Sequence, residues 1–209
     1  MLNRLQRYRW LAVGLAAVPT AVIVLAVVSA TAGGSNSSQV ATGPPHELTG
    51  PPPWPRNVQG LRRRLAALGL PALAAERTTL HFHVHLDLFV NGKRVTVPAG
   101  IGIAPDEAFF SPLHTHDPSG IVHIESGQVR PFTLGEFFDV WGVPLSTHCL
   151  GGYCATGARR LSTYVNGTRF AGDPARLLLE PHEEIVVAFG TRSELPRPIP
   201  SSYAFPPGL

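Results

Sequence analysis

Leu80-His81-Phe82-His83-Val84-His85-Leu86-Asp87-Leu88-Phe89-Val90 is the stretch on which the reading of this chain turns. Apolar residues alternate with others along it, which is the two-residue period of a strand with unlike faces. Leu80, Phe82, Val84, Leu86, Leu88 and Val90 form one face, and His81, His83, His85, Asp87 and Phe89 the other. Val90-Asn91-Gly92-Lys93 follows. Asn-Gly is a strong two-residue hairpin signal, because both central positions of that turn need positive φ. The turn sets Leu88 opposite Val95 and Leu86 opposite Val97, so the returning segment adds valines to the apolar face. The expectation is a sheet with one face in a core and three imidazoles on the other.

Side chains two apart on a strand stand roughly 6 to 7 Å apart along one face. Two such imidazoles reach one metal ion, and a third ligand comes from elsewhere. A second cluster offers it. Leu113-His114-Thr115-His116-Asp117 leads through a Pro118-Ser119-Gly120 turn into Ile121-Val122-His123-Ile124-Glu125. If Ile121 to Glu125 is a strand, Val122 and Ile124 face the core, and His123 and Glu125 share the other side. His114 and His116 share a face if their segment is extended. The candidate metal ligands are therefore His81, His83, His85, His114, His116, His123 and Glu125. Six imidazoles exceed one ordinary site, so either two ions bind or some of the histidines only support the ligands. Asp87, Asp117 and Glu125 are candidates to orient a ligating imidazole or to act as a general base. Imidazole with carboxylate suits zinc, copper(II), iron or manganese. The single Met is the initiator, which argues against copper(I), a soft ion that favours sulfur. Zinc or copper(II) is the expected cofactor.

Working outward, residues 11–32 carry no charge and are mostly Ala, Val and Leu, long enough to span a bilayer as a helix. Arg4, Arg7 and Arg9 precede them, which predicts a cytoplasmic N-terminus at residues 1–10 and an exported remainder. A cleaved signal peptide ending near Ala30-Thr31-Ala32 is the competing reading, and it also puts the domain outside the cytoplasm. Residues 33–57, rich in Pro, Gly and Ser, read as a linker, 58–195 as the extracytoplasmic metal-binding domain, and 196–209 as a Pro-rich tail. Leu61, Leu65 and Leu68 recur at helical spacing, with Asn57 as the expected cap. Arg62, Arg63 and Arg64 read as the solvated face of that helix. No basic stripe interleaved with aromatics occurs, so no nucleic-acid partner is expected.

Thr133 and Glu136 have capping-box spacing ahead of Phe137, Phe138, Val140 and Trp141, and Gly142 is placed to end that helix. Cys149 and Cys154 bracket a four-residue loop and read as a disulfide in an oxidising compartment. Val165-Asn166-Gly167-Thr168 repeats the hairpin signal, and 177–179 and 185–189 read as further strands. Hairpin, capped helix and more strands predict an α+β fold: a mainly antiparallel β-sheet domain with one or two packed helices, a β-grasp-like arrangement being one candidate, preceded by a single N-terminal transmembrane helix.

The histidine stretches at 81–87 and 114–126, with Phe132-Thr133-Leu134-Gly135-Glu136-Phe137-Phe138, resemble an uncharacterised bacterial and archaeal family of exported or membrane-anchored proteins. The resemblance covers about residues 58–190 and implies no activity. It implies only that the histidine clusters are not an accident of this chain. No nucleophile elbow or phosphate-cradling glycine loop is present. Three classes stay open: metal capture, delivery or sensing; a metal-dependent enzyme, either a zinc hydrolase or lyase or a copper or iron oxidoreductase; and a cell-surface interaction module braced by a structural metal.

Overall fold

The structure is a computed structural model that describes residues 48–76 and 79–209. The predicted membrane segment at 11–32 lies outside the described residues, and among the described residues no helix is long and apolar enough to cross a membrane.

Strand β1 (Leu80–Val90) is the centre of the main sheet, with order β3-β4-β1-β9-β7-β8 and β2 also paired to β1. The other members are β2 (Lys93–Val95), β3 (Leu113–His114), β4 (Ile121–Ser126), β7 (Arg160–Val165), β8 (Thr168–Phe170) and β9 (Glu184–Gly190). Strands β5 (Cys149–Leu150) and β6 (Tyr153–Cys154) form a separate ribbon closed by the Cys149–Cys154 disulfide. The Asn-Gly turn delivers the expected pairing of Leu88 with Val95, with Asn91 and Gly92 both at positive φ. Pairing stops at Val95, ahead of Pro98, although Val97 is also buried.

Every strand pair is antiparallel except one: β9, the last strand, runs parallel to β1 along His85–Val90. The sheet is therefore mixed at its centre. A parallel neighbour needs a long crossover, and the whole chain between β1 and β9 supplies it. The expected strand at 177–179 is instead a single bridge from Leu178 to Thr133. A 3-10 turn at Pro174–Arg176 precedes it, and only Leu177 and Leu179 are buried.

Val84, Leu86, Leu88 and Val90 are buried with Val122 and Ile124 of β4 and Ile185, Val187 and Phe189 of β9. Each such side chain contributes roughly 1.5–3 kcal/mol. Two helices add to this core: α1 (Leu61–Leu68) through Leu61 and Leu65, and α2 (Leu134–Trp141) through Phe137, Phe138 and Trp141. Helix α2 starts with the predicted capping box, Thr133 Oγ1 accepting from the Glu136 amide and Glu136 accepting from the Thr133 amide, and ends at Gly142.

Helix α1 departs from expectation. Its N-cap is Gly60 in the left-handed region, not Asn57. The arginine triplet is not one solvated face either. Arg64 is fully buried and donates to the carbonyls of Val140, Gln59 and Asn57, while Arg62 lies over the Phe109 ring. The part of the linker at 48–57 is docked rather than free. Trp54 is buried edge-on against Trp141, and Trp141 donates to the Pro55 carbonyl. Large aromatics bury 150–250 Å² each, enough to hold a Pro-rich segment on the core.

Candidate metal centre

The alternation in β1 puts His81, His83, His85 and Asp87 on the face away from the aliphatic core. That face is covered as well: His83, His85 and Asp87 are nearly inaccessible, while His81 is exposed. Strand register then assembles the site. On β3, β4 and β1, His114 lies opposite His123 and His123 opposite His83, a row of three imidazoles across three strands. The next row puts His81 opposite Glu125. Adjacent strands are about 4.8 Å apart, so rings in one row must touch. His83 and His123 have ring centroids 4.4 Å apart, and His114 and His123 5.3 Å.

The nitrogens converge. His83 Nε2 lies 3.1 Å from His81 Nε2 and 3.1 Å from His123 Nδ1. His114 Nε2 lies 3.1 Å from His116 Nε2. Glu125 Oε1 sits among them, 3.3 Å from His81 Nε2, 3.6 Å from His123 Nδ1 and 4.0 Å from His114 Nε2. Glu76 closes the outer side, its Oε1 3.0 Å from His116 Nε2 and 3.9 Å from His114 Nε2. Three ligand sets result, each with donor atoms within 4.8 Å of one another: His81, His83 and His123; His114, His116 and His123; and Glu76, His114 and Glu125.

Local bonds aim the ligands. His114 Nδ1 donates to the Ser111 carbonyl at 2.9 Å. A carbonyl only accepts, so the proton is held on Nδ1, and Nε2 points its lone pair into the cluster. The loop before β3 packs directly on the base of this side chain. Gly102 is at φ +73°, and a Cβ there would meet the Leu113 carbonyl at 2.3 Å and His114 Cβ at 3.1 Å. Only glycine allows that approach.

Electrostatics follow from burial. The His83 imidazole is lowered to about 4, by burial first and then by the neighbouring His123 and His81. His114 is also lowered to about 4 by burial, the nearby Glu125 carboxylate opposing this only in part. Burial alone would raise the Glu125 carboxyl. Its hydrogen bond with His123 and the nearby His114 and His81 outweigh that and hold it below the usual carboxylate value. At neutral pH both buried imidazoles are neutral beside an ionised carboxylate, which is the donor state a cation requires.

His85 is on the same face but in a different environment. Its Nδ1 lies 2.6 Å from Glu184 Oε2 on β9, and its Nε2 donates to the Ser119 carbonyl at 2.9 Å. Tyr203 stacks on its ring at 3.7 Å and 6°. Gly120 makes room, since a Cβ there would lie 2.7 Å from the Leu86 carbonyl and 3.0 Å from His85 Nε2. His85, Asp87 and Glu184 form a fourth compact set. Asp87, however, is engaged by Arg94, and both ring nitrogens of His85 already face oxygens. The structure thus gathers His81, His83, His114, His116, His123 and Glu125 and sets His85 apart. Asp117, a candidate base from sequence, is exposed and caps its turn by accepting from the Ser119 amide; those Ser119 bonds lower its carboxyl. Glu76 and Glu184 had no signal in local spacing, because their partners lie far along the chain. Comparison with protein-family models, curated proteins and solved structures returns no match.

Proposed function

We propose that this protein is a metal-binding protein held outside the cytoplasm by the apolar segment at 11–32, and that it captures, delivers or senses zinc or copper(II). One observation carries the reading: five imidazoles, four on three adjacent strands and His116 just after β3, converge with Glu125, nitrogen against nitrogen, at 3.1 Å contacts. Two neutral imidazole nitrogens facing each other share at most one proton, so the cluster keeps lone pairs that suit a cation. All donors are nitrogen or oxygen. Both cysteines are in the disulfide, which leaves no thiolate and supports an oxidising compartment. Strand order supports the β-grasp-like reading of the domain, with the first and last strands parallel at the centre and a helix between the flanking hairpins.

The rim favours exchange over a sealed structural ion. His81, His116 and Glu76 are 36%, 39% and 46% exposed at their side chains, whereas His114 and Glu125 are buried. A second reading, a zinc-dependent hydrolase or lyase, draws on a cleft of about 350 Å³ that reaches His116 and is lined by Arg56, Gly100 and Asp106. A metal-bound water at that rim would be the nucleophile.

The deciding experiment is elemental analysis of the full chain, exported to a bacterial periplasm and purified without a histidine tag. At least one equivalent of a single transition metal is expected, and its identity selects hydration, hydrolysis or redox assays. A metal-free protein that also takes up neither zinc nor copper(II) at micromolar concentration overturns the proposal.

A further inference from the structure

The cluster has more donors than one ion uses. Zinc in a protein site is almost always four-coordinate, yet seven side chains converge here: His81, His83, His114, His116, His123, Glu76 and Glu125. They are not spread evenly around one point. His81, His83 and His123 gather about His83 Nε2, with both contacts at 3.1 Å. His114, His116 and Glu76 gather at the other end, with His116 Nε2 3.1 Å from His114 Nε2 and 3.0 Å from Glu76 Oε1. Glu125 lies between, its Oε1 3.3 Å from His81 on one side and 4.0 Å from His114 on the other.

We infer that the site is dinuclear, with one ion on His81, His83 and His123, a second on His114, His116 and Glu76, and Glu125 as the carboxylate shared between them. The inference rests on the metal reading above and fixes its stoichiometry. A carboxylate offers two oxygens with about four lone-pair sites and is buried here midway between the two groups. Two ions about 3.5–4 Å apart under one bridging group form a recurrent arrangement in metal sites. The two ends differ. The His83 end is composed of imidazoles alone, with His83 buried. The His116 end includes the half-exposed Glu76 and opens toward the cleft beside His116. The second ion is the one that exchanges, and the first is retained.

The test uses the full chain, solubilised in detergent and stripped with a chelator, then titrated with zinc against a chromophoric competitor. Two equivalents are expected, the tighter at least 10-fold stronger than the weaker. Glu76→Gln combined with His116→Asn removes the weaker equivalent and leaves the tighter one. One equivalent in the unmodified protein overturns the dinuclear inference while leaving metal binding intact; none overturns both. A second readout needs no variant. Loaded with two equivalents of copper(II), the protein gives the half-field electron paramagnetic resonance signal of a coupled pair, absent at one equivalent. Two ions bound without that signal overturn the shared-carboxylate geometry.

Discussion

His83 and His85 stand two residues apart on one strand and face, and both are nearly inaccessible to water, yet their nitrogens face opposite kinds of partner. Each nitrogen of His85 meets an oxygen, from Glu184 or from the Ser119 carbonyl, and Tyr203 seals the ring. His83 Nε2 meets two other imidazole nitrogens. The first environment gives both ring nitrogens a protein oxygen, while the other Glu184 oxygen, Oε1, is buried without a partner among the described residues. In the second, imidazole nitrogens share protons among themselves at 3.1 Å and keep lone pairs to spare. Burial and residue type do not separate these two histidines; the identity of the atom facing each nitrogen does.

The comparison is broken most severely by removing ligands. His83→Ala with His116→Ala takes one imidazole from each end, and metal content should fall from full occupancy to none detectable by elemental analysis. Unchanged content would mean that the convergence is incidental. The variant also cuts the 3.1 Å imidazole contacts and the His116–Glu76 pair, so metal content rather than stability is its readout.

His85→Ala should do the reverse. It strands Glu184 in the core and removes the surface on which Tyr203 stacks. Stranding a buried partner costs about 3–5 kcal/mol, read as a lower urea midpoint of the metal-free protein. A loss under about 1 kcal/mol would show that His85 and Glu184 are not the buried pair described above.

Acid sharpens the contrast at intermediate size. His83 and His114 are lowered to about 4 in the folded protein against 6.5 as the ordinary value. Between those values the unfolded chain binds more protons, so unfolding free energy rises with pH and is lost on acidification through that window. Each histidine contributes a slope on the order of 1 kcal/mol per pH unit. The metal-free protein should therefore weaken steadily from about pH 6.5 to about pH 4 in urea titrations, and His83→Gln should flatten that slope.

The smallest effect lies away from both sites. The Asp139 carboxyl on α2 is pushed up to about 6 by burial and then by Glu136. A raised carboxyl favours the fold below its unfolded value near 3.8, and that advantage is lost as pH rises through 6. Asp139→Asn should therefore add about 1 kcal/mol at pH 7.5, after discounting for solvent screening, and nothing at pH 3.5. Matched thermal melts at the two pH values measure it.

What the sequence disclosed was local. Alternation in β1, the Asn-Gly register, the Thr133 capping box and the short disulfide loop all act over fewer than about a dozen residues, and each is found in the structure. Sheet pairing then brought His81, His83, His114, His123 and Glu125 together, because alternation had already put them on one face, and His116 joins from the segment just after β3. The rest depended on distant partners. His85 reads from sequence like its neighbours, and nothing there discloses its oxygen partners, which lie 34 and 99 residues away. Glu76 had no periodicity to mark it. Trp54 sat in a Pro-rich stretch whose composition resembles a spacer, and only the tertiary contact with Trp141 distinguishes it. The parallel pairing of β1 with β9 is invisible to hydropathy, since a buried strand reads alike in either direction.

That parallel pairing also sets a timetable. A chain emerges from its ribosome, or crosses a membrane, N-terminus first. The strand that bears His83 and His85 is thus made well before its neighbour on one edge. Until Glu184–Gly190 docks, His85 has no Glu184 and one edge of β1 is unpaired. The histidine cluster does not wait for that strand: β1, β3, β4 and the segment just after β3 carry its histidines, so the cluster can assemble before the pocket around His85 is closed.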